Sequence, residues 1–219
     1  TIGPLARRLG LAAESENGLL IVGGSPFTTQ LAKALKKLEL DVLIVDGSYH
    51  HLKEARMAGI EIYYGELLSE RAKETLEDMH LSSLLCATDN DFYNALVSKA
   101  QGREFGHHRV FQLAIHDEAQ LEVNRLTLQQ RGHIAFDHAA TFELLSQRVE
   151  EGWMIQSSRL TEIHNFSEVE KRLGLCGKDW FLLAGLNPKG LFKLFSSEQS
   201  FVPETDWTLI IFAPSSATP

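Results

Sequence analysis

The fold is decided by residues 19–35, which read Leu19-Leu20-Ile21-Val22-Gly23-Gly24-Ser25-Pro26-Phe27-Thr28-Thr29-Gln30-Leu31-Ala32-Lys33-Ala34-Leu35. Four apolar residues lead into a turn of small residues, and the apolar residues after the turn are spaced to form one stripe on a helix. The stretch therefore predicts a buried strand, a tight turn and a helix. A second apolar run, 42–45, predicts another buried strand, which ends at Asp46, 23 residues after Gly23.

This order of strand, glycine turn, helix, strand and acid is typical of the first unit of a Rossmann-type nucleotide-binding fold. The start of a helix presents unpaired backbone N–H groups and about half a positive charge, so it stabilises a phosphate. Asp46 ends the neighbouring strand, where its carboxylate would accept hydrogen bonds from a ribose diol and repel a 2′-phosphate. We therefore predict a nucleotide between the glycine turn and Asp46.

The glycine pattern departs from the usual G-x-G-x-x-G. Ser25 replaces its second glycine and Thr28 its third. Pro26 removes one N–H donor from the first helical turn, although proline is sterically suited to that position. Two roles remain open for the hydroxyls of Ser25 and Thr28: they contact the ligand, or they cap the helix of an empty site.

The alternation of helices and strands continues after Asp46, which predicts a doubly wound parallel α/β sheet of five or six strands. One predicted helix carries Phe92, Leu96 and Ala100 on a single face. The predicted segments are a helix at 50–58 closed by Gly59, a strand at 60–64, a helix at 67–79, a strand at 84–87, a helix from residue 92 and a strand at 110–115.

The pattern changes beyond Asp117, where residues 120–132 are rich in Gln and Arg and indicate a boundary or an edge segment. The remainder predicts a small α+β module. Its segments are a helix at 141–150, a strand at 153–160, a helix at 167–173 stopped by Gly174, a hairpin of 180–186 and 191–195, and a strand at 206–212. We predict three parts: a linker at 1–18, a Rossmann-like domain at 19–137 and the α+β module at 138–219.

Four short motifs at the ends of the predicted strands resemble the RCK/KTN regulatory domains of potassium channels and cation transporters, of the TrkA-N type. They are the glycine turn, Asp46, the pair Gly65-Glu66, and the run Ala87-Thr88-Asp89-Asn90-Asp91-Phe92-Tyr93-Asn94. In that family a Gly-Asp pair follows the third strand and a Thr-x-x-Asp-x-x-Asn pattern follows the fourth. Here the pair is Gly65-Glu66 and the pattern is intact as Thr88, Asp91 and Asn94. The resemblance covers about residues 19–117, and the second module is similar to a divergent RCK C-terminal domain.

The resemblance implies that the domain binds an adenine nucleotide, NAD(H) or AMP, at the carboxyl ends of its strands. The residues that it assigns to the cofactor are Gly23, Gly24, Ser25, Pro26, Phe27, Thr28, Asp46, Gly47, Ser48, Gly65, Glu66, Ala87, Thr88, Asp89, Asn90 and Asn94.

The lead-in Thr1–Leu11 is similar to the cytoplasmic exit of the last membrane helix in bacterial NhaP-like sodium or potassium/proton antiporters. This implies a homodimeric regulatory region on the cytoplasmic face of the bacterial inner membrane, cut from a longer chain, that gates its own antiporter domain without catalysing a reaction. No apolar run in the sequence approaches the roughly 18 to 20 residues that span a bilayer.

Composition narrows the alternatives. The net charge of −8 offers no basic face for nucleic acid. Cys86 and Cys176 stand 90 residues apart without a second cysteine at metal-binding spacing, which favours two buried, reduced thiols over a disulfide. The adjacent histidines 50–51 and 107–108 are not at ligand spacing, so surface positions are expected for them.

Other functions remain as alternatives. A structural dimerisation tail with an empty site would explain the altered glycine pattern. Tyr49 and Lys53 have the Tyr-x-x-x-Lys spacing of short-chain dehydrogenases, but they follow the second strand, where adenosine and not nicotinamide would lie. Tyr49 would at most stack on adenine there. The turn at Gly23–Phe27 also lacks the second glycine of a hydrolase nucleophile elbow.

Overall fold

The structure is a computed structural model that describes residues 17–77, 79, 81–115, 131–175, 180–199 and 201–216. Several predicted features lie outside these residues: the antiporter-like lead-in, most of the 120–132 segment, Cys176 and the last three residues of the tail. Among the described residues, no helix is both long and apolar enough to cross a membrane.

The first unit is a six-stranded sheet in which every strand pair is parallel. The strand order is β3-β2-β1-β4-β5-β6. Strands β2 and β3 are added on one side of β1, and β4, β5 and β6 on the other, so the strand order reverses between β1 and β4. Ile21 of β1 lies opposite Ile44 of β2, as the sequence requires. These observations confirm the Rossmann-like prediction. The strands are β1 Gly18–Val22, β2 Val42–Asp46, β3 Glu61–Tyr64, β4 Leu81–Cys86, β5 Val110–Gln112 and β6 His133–Ile134.

Four helices connect the first five of these strands, and the first of them carries an apolar stripe toward the sheet. Leu31, Ala32 and Leu35 of the first helix are fully buried against β1 and β2. The helices are α1 Pro26–Lys37, α2 Tyr49–Met57, α3 Glu70–Glu77 and α4 Asp91–Gln101, with a 3₁₀ turn at His107–Arg109 before β5.

The second unit is a four-stranded antiparallel sheet, ordered β7-β10-β8-β9, with two helices. The predicted hairpin is present, with its turn at residues 187–190. The α+β prediction is thus confirmed, while the division at 137/138 stays a prediction. The elements are α5 Phe142–Glu150, β7 Trp153–Arg159, α6 Phe166–Leu175, β8 Phe181–Leu186, β9 Phe192–Leu194 and β10 Thr208–Pro214.

Phe27 joins the cores of the two units. Its ring is 2% exposed and contacts Phe136, which follows β6, and Phe212 of β10 edge to face, with ring centroids 6.0 and 5.2 Å apart. Gln30 follows Phe27 by three residues on α1, and its side-chain oxygen accepts a hydrogen bond from the Ile155 amide of β7 at 3.2 Å. The first helix of the Rossmann unit is therefore part of the packing of the second unit.

Polar contacts of Glu198 with Arg131, His133 and the Ile134 amide, called the clasp here, hold the second unit to the edge strand β6. The Glu198 carboxylate pairs with Arg131 and accepts a hydrogen bond from the Ile134 amide at 3.0 Å. Burial by itself would raise the pKa of Glu198, but these hydrogen bonds outweigh it and hold that pKa below its usual value. Burial also lowers the pKa of neighbouring His133, although Glu198 acts in the opposite direction.

The apolar face predicted for α4 is exposed to solvent and does not pack against the sheet. Phe92 and Leu96 are 89% and 55% exposed, so they do not face the sheet. The buried face is more polar, and it contains Asn94, Ala95, Val97, Ser98 and Gln101. Phe92, Leu96 and Ala100 do share a face, but it is the exposed one, because Asn94 lies on the opposite side and forms hydrogen bonds with Thr88 in the loop before the helix.

Several predicted ends are also wrong. The third helix begins at Glu70 because residues 67–69 form a turn, although Leu67 is fully buried. The sixth helix continues through Gly174 to Leu175. Strand β10 begins at Thr208 because Asp206 has a φ of 68° and lies in a turn. Strand β1 includes Gly18, the last residue of the predicted linker.

Strand β4 begins at Leu81, three residues earlier than predicted, and β5 ends at Gln112. Cys86 at the end of β4 is a free, fully buried thiol, and burial raises its pKa to about 12. This agrees with a structural cysteine in a reduced protein.

Candidate functional site

A large cleft lies where the carboxyl ends of β1, β2, β3 and β4 meet. This is the point at which the strand order reverses, and ligands of open α/β sheets bind there. The cleft encloses about 840 Å³, in the upper part of the range of about 300–1,000 Å³ typical of ligand pockets. Its lining residues are Val22, Gly23, Gly24, Ser25, Pro26, Val45, Asp46, Gly47, Ser48, His50, His51, Lys53, Glu54, Met57, Gly65, Glu66, Thr88, Asp89, Asn90, Tyr93 and Phe142.

Gly23 is required by the close approach of the β1 turn to β4. Its φ is 112°, and a Cβ there would lie 2.5 Å from the carbonyl oxygen of Ala87. Any other residue would meet both backbone strain and a clash with backbone atoms. Gly24 is similarly confined, because a Cβ there would lie 2.8 Å from the carbonyl oxygen of His51. The two glycines therefore shape the floor of the cleft.

The hydroxyls of Ser25 and Thr28 cap α1. Ser25 is the N-cap residue, and its Oγ accepts a hydrogen bond from the Thr28 amide at 3.1 Å. Thr28 Oγ1 accepts one in return from the Ser25 amide at 2.8 Å and donates to the carbonyl oxygen of Gly23 at 3.0 Å. Of the two roles open from the sequence, the structure shows capping. The serine and threonine thus replace glycines with a capping box that fixes the turn.

Asp46 is the polar centre of the cleft. Its carboxylate accepts hydrogen bonds from the Gly24 amide at 2.7 Å and from the Ser48 amide at 2.6 Å, and it pairs with His51 at 3.2 Å. Its side chain is only 11% exposed, whereas that of His51 is 51% exposed. The His51 contact is thus the one that a ligand can replace from solvent, while the two backbone contacts orient the carboxylate.

Among the described residues, one amide at the start of α1 is unpaired, but it belongs to Phe27, which is 2% exposed and does not line the cleft. The Gly24 and Ser25 amides are bonded to Asp46 and Thr28, and Pro26 has no N–H. The Phe27 amide has no hydrogen-bond partner among the described residues. What the start of α1 offers to an anion in the cleft is therefore the positive end of the helix dipole beside the glycine turn.

The loop after β4 is fixed by the Thr-x-x-Asp-x-x-Asn motif. Asn94 is fully buried, and its amide oxygen accepts hydrogen bonds from the amide and the hydroxyl of Thr88 at 3.1 and 2.7 Å. Its Nδ2 donates to the carbonyl oxygen of Thr88 at 2.9 Å. Asn90 caps α4 by accepting from the Tyr93 amide at 3.0 Å. The motif therefore presents Thr88, Asp89 and Asn90 to the cleft.

A side-chain contact joins β3 to α4 at the rim of the cleft. Tyr93 Oη donates a hydrogen bond to Glu66 Oε2 at 2.7 Å. Burial and this carboxylate both raise the pKa of Tyr93, so its hydroxyl keeps its proton. The other carboxylate oxygen of Glu66 lies 2.6 Å from where a Cβ on Gly47 would be, so Gly47 leaves room for Glu66.

The structure places twelve of the sixteen predicted residues on the cleft and four away from it. Phe27 is in the core between the two units, and Thr28 is buried in the cap. Ala87 and Asn94 are buried beneath the β4 loop. Phe27 therefore leaves the cleft open, and Pro26 is exposed on its edge.

Nine lining residues were not predicted from the sequence, among them Val22, Val45 and His51. One face of α2, at the helical spacing of 50, 53, 54 and 57, borders the cleft with His50, Lys53, Glu54 and Met57. The helical spacing of these four residues can be recognised in the sequence, so this signal could have identified the face of α2 that borders the cleft. Tyr93 and Phe142 carried no such signal, because their positions depend on packing between distant segments. Tyr49 does not line the cleft; its ring instead contacts Tyr64 at 6.0 Å.

The charges around the cleft are mixed, with carboxylates at Asp46, Glu54, Glu66 and Asp89 and a cation at Lys53. Within the described ranges, no group of three His, Cys, Asp or Glu residues is placed to hold a metal ion. The side chains around the cleft therefore offer both carboxylate acceptors and an ammonium donor.

One protein-family model matches about the first half of the chain. Residues 19–130 match the family model of the TrkA-N domain. No curated protein matches the chain.

Among solved structures, the chain is similar to the NAD(P)-binding domain of an exopolyphosphatase-related protein from Archaeoglobus fulgidus. The identity is 14%, the TM-score is 0.44, and the match covers 62% of this chain and 98% of that chain. A second similar structure is the GsuK RCK domain, with 15% identity, a TM-score of 0.41 and coverage of 98% of this chain and 48% of that chain. A third is the GsuK channel bound to NAD, with 14% identity, a TM-score of 0.40, and coverage of 91% and 36%. The chain thus spans half or less of the GsuK chains that it matches.

Proposed function

The chain belongs to the TrkA-N domain family, and on that premise we propose that it is a non-catalytic regulatory domain that binds an adenine nucleotide, NAD(H) or AMP. The observation that carries the proposal is the cleft at the reversal of strand order, with an oriented carboxylate on one side and the start of α1 on the other. A ribose diol would replace His51 on Asp46, and a phosphate would lie at the glycine turn, at the positive end of the α1 dipole.

Asp46 also favours a ligand without a 2′-phosphate. A second negative charge beside this carboxylate would be repelled in a part of the cleft that is largely shielded from water. NAD(H) and AMP are therefore the preferred ligands over NADP(H).

Regulation would follow from differential binding. A ligand shifts an equilibrium between two conformations only by the difference in its affinity for them. We propose that the domain works as a homodimer in the cytoplasm and passes this shift to an attached cation/proton antiporter, as the lead-in Thr1–Leu11 implies. This lead-in lies outside the described residues. Reading the coding sequence upstream of Thr1 tests the antiporter context, because the proposal expects membrane-spanning segments there and another kind of domain would overturn it.

Thermal unfolding in the presence of nucleotides tests the binding site. A ligand at 100 times its dissociation constant adds about 2.7 kcal/mol of stability, which is roughly 5 to 10 °C for a chain of this size. We expect this shift with NAD, NADH or AMP and a smaller one with NADP. If no nucleotide shifts the transition, the alternative of an empty dimerisation tail replaces the proposal, and turnover of NADH with small carbonyl compounds would indicate a dehydrogenase.

Asp46→Ala should weaken the nucleotide response, with Asp41→Ala as its control. Asp41 lies just before the other end of β2 and is exposed. The Asp46 variant will also be less stable without ligand, because a charged acceptor for two amides is lost, at about 1.5–3 kcal/mol for each bond. Each ligand shift is therefore read against the same variant without ligand. An unchanged affinity in Asp46→Ala would remove this residue from the site.

A further inference from the structure

Phe142 brings the second unit into the cleft. Among the described residues, it is the one lining residue that lies beyond β5 in the sequence. It is the first residue of α5, whose N-cap Thr141 pairs with Ala114 just after β5. Its side chain is half-buried and packs against the core that the two units share.

The cleft has two ends, which lie on either side of the glycine turn. Asp46 marks the end at β2, and Phe142 lies toward β5, beyond β4 in the order of the sheet. The start of α1 lies between them, since α1 packs against both α2 and α5. A ligand with its ribose at Asp46 and its phosphates at α1 therefore extends toward Phe142.

We propose that Phe142 distinguishes a dinucleotide from a mononucleotide by packing against the base of the second nucleoside. This inference rests on the proposed function and adds to it the identity of the ligand. A mononucleotide has its base and ribose at the Asp46 end and leaves the Phe142 end unfilled. The volume of about 840 Å³ leaves space for a second nucleoside.

The chemistry of the two ends supports this division. The Asp46 end provides acceptors for hydroxyl groups, whereas Phe142 provides an apolar aromatic ring that suits the flat face of a base. The ring is also fixed by its packing, so it loses little conformational freedom when a base contacts it.

Isothermal titration of three probes tests the proposal: NAD⁺, ADP-ribose, which lacks the second base, and AMP. For Phe142→Ala we expect about a tenfold loss of NAD⁺ affinity, the size of one lost base–aromatic contact, while ADP-ribose and AMP bind within about twofold of wild type. Phe142→Leu keeps the apolar packing of the core and should lose an intermediate amount. Leu144→Ala, on the same helix and outside the cleft, is the matched control and should leave all three affinities unchanged.

The outcomes separate the two proposals. Phe142 does not contact the second base if both Phe142 variants bind NAD⁺ like wild type, or if they lose affinity for all three probes equally. In either case the proposal of nucleotide binding itself still stands. Binding of AMP without NAD⁺ by the wild-type protein also overturns the role of Phe142. Wild-type protein that binds none of the probes instead overturns the proposed function.

Discussion

Replacing Phe27 tests whether the two units share one core. Its ring is 2% exposed and makes two edge-to-face contacts, one to Phe136 and one to Phe212. A buried phenylalanine replaced by alanine costs about 3–5 kcal/mol, from lost burial and from the cavity that remains. This is a large part of the roughly 5–15 kcal/mol that stabilises a domain. We therefore expect Phe27→Ala to lower the unfolding midpoint by roughly 1 to 2 M urea.

The assay uses the positions of the tryptophans. Trp153, Trp180 and Trp207 all lie in the second unit, so their fluorescence reports on that unit, while circular dichroism reports on both. Both signals should shift together in Phe27→Ala. Phe92→Ala is the control, because Phe92 is 89% exposed and its loss should change stability by about 0.5 kcal/mol or less. A tryptophan transition that stays in place, or equal effects of the two variants, would show that Phe27 does not join the cores.

Two further predictions concern the turn and the clasp. Gly23→Ala should destabilise the protein by roughly 2 kcal/mol or more relative to Gly59→Ala. Both glycines have positive φ, but of the two only Gly23 would place a Cβ within 3 Å of backbone atoms. Equal urea midpoints for the two variants would contradict this. The pKa of Glu198 in the folded protein lies below its ordinary value of 4.5. Its contribution to the free energy of unfolding is therefore complete above pH 4.5 and is lost as the pH falls through the folded-state pKa. The lowered pKa of His133 adds a decline that begins as the pH falls through about 6.5, since the unfolded state binds its proton first. Glu198→Gln should flatten the acid part of the unfolding free energy measured from pH 7 to about pH 3, and an unchanged slope below pH 4.5 would exclude the Glu198 contacts as its source.

The sequence by itself determined the order of elements in the Rossmann unit and the position of Asp46. Buried parallel strands are short, continuous apolar runs and their helices carry apolar stripes, so both signals are local and can be read without the partner. The carboxyl end of each strand is also fixed by chain direction, which is why Gly65, Glu66 and Thr88 could be placed beside Asp46 in advance.

Only the tertiary structure decided which of these side chains face the cleft. Phe27 and Phe92 are both aromatic residues at the start of a helix, yet one joins two cores and the other is exposed, because each depends on what packs against it from distant parts of the chain. The hydroxyls of Ser25 and Thr28 cap the helix because of the geometry of the turn. Phe142 reaches the cleft because α5 packs against α1, a contact between segments more than 100 residues apart that no local pattern encodes.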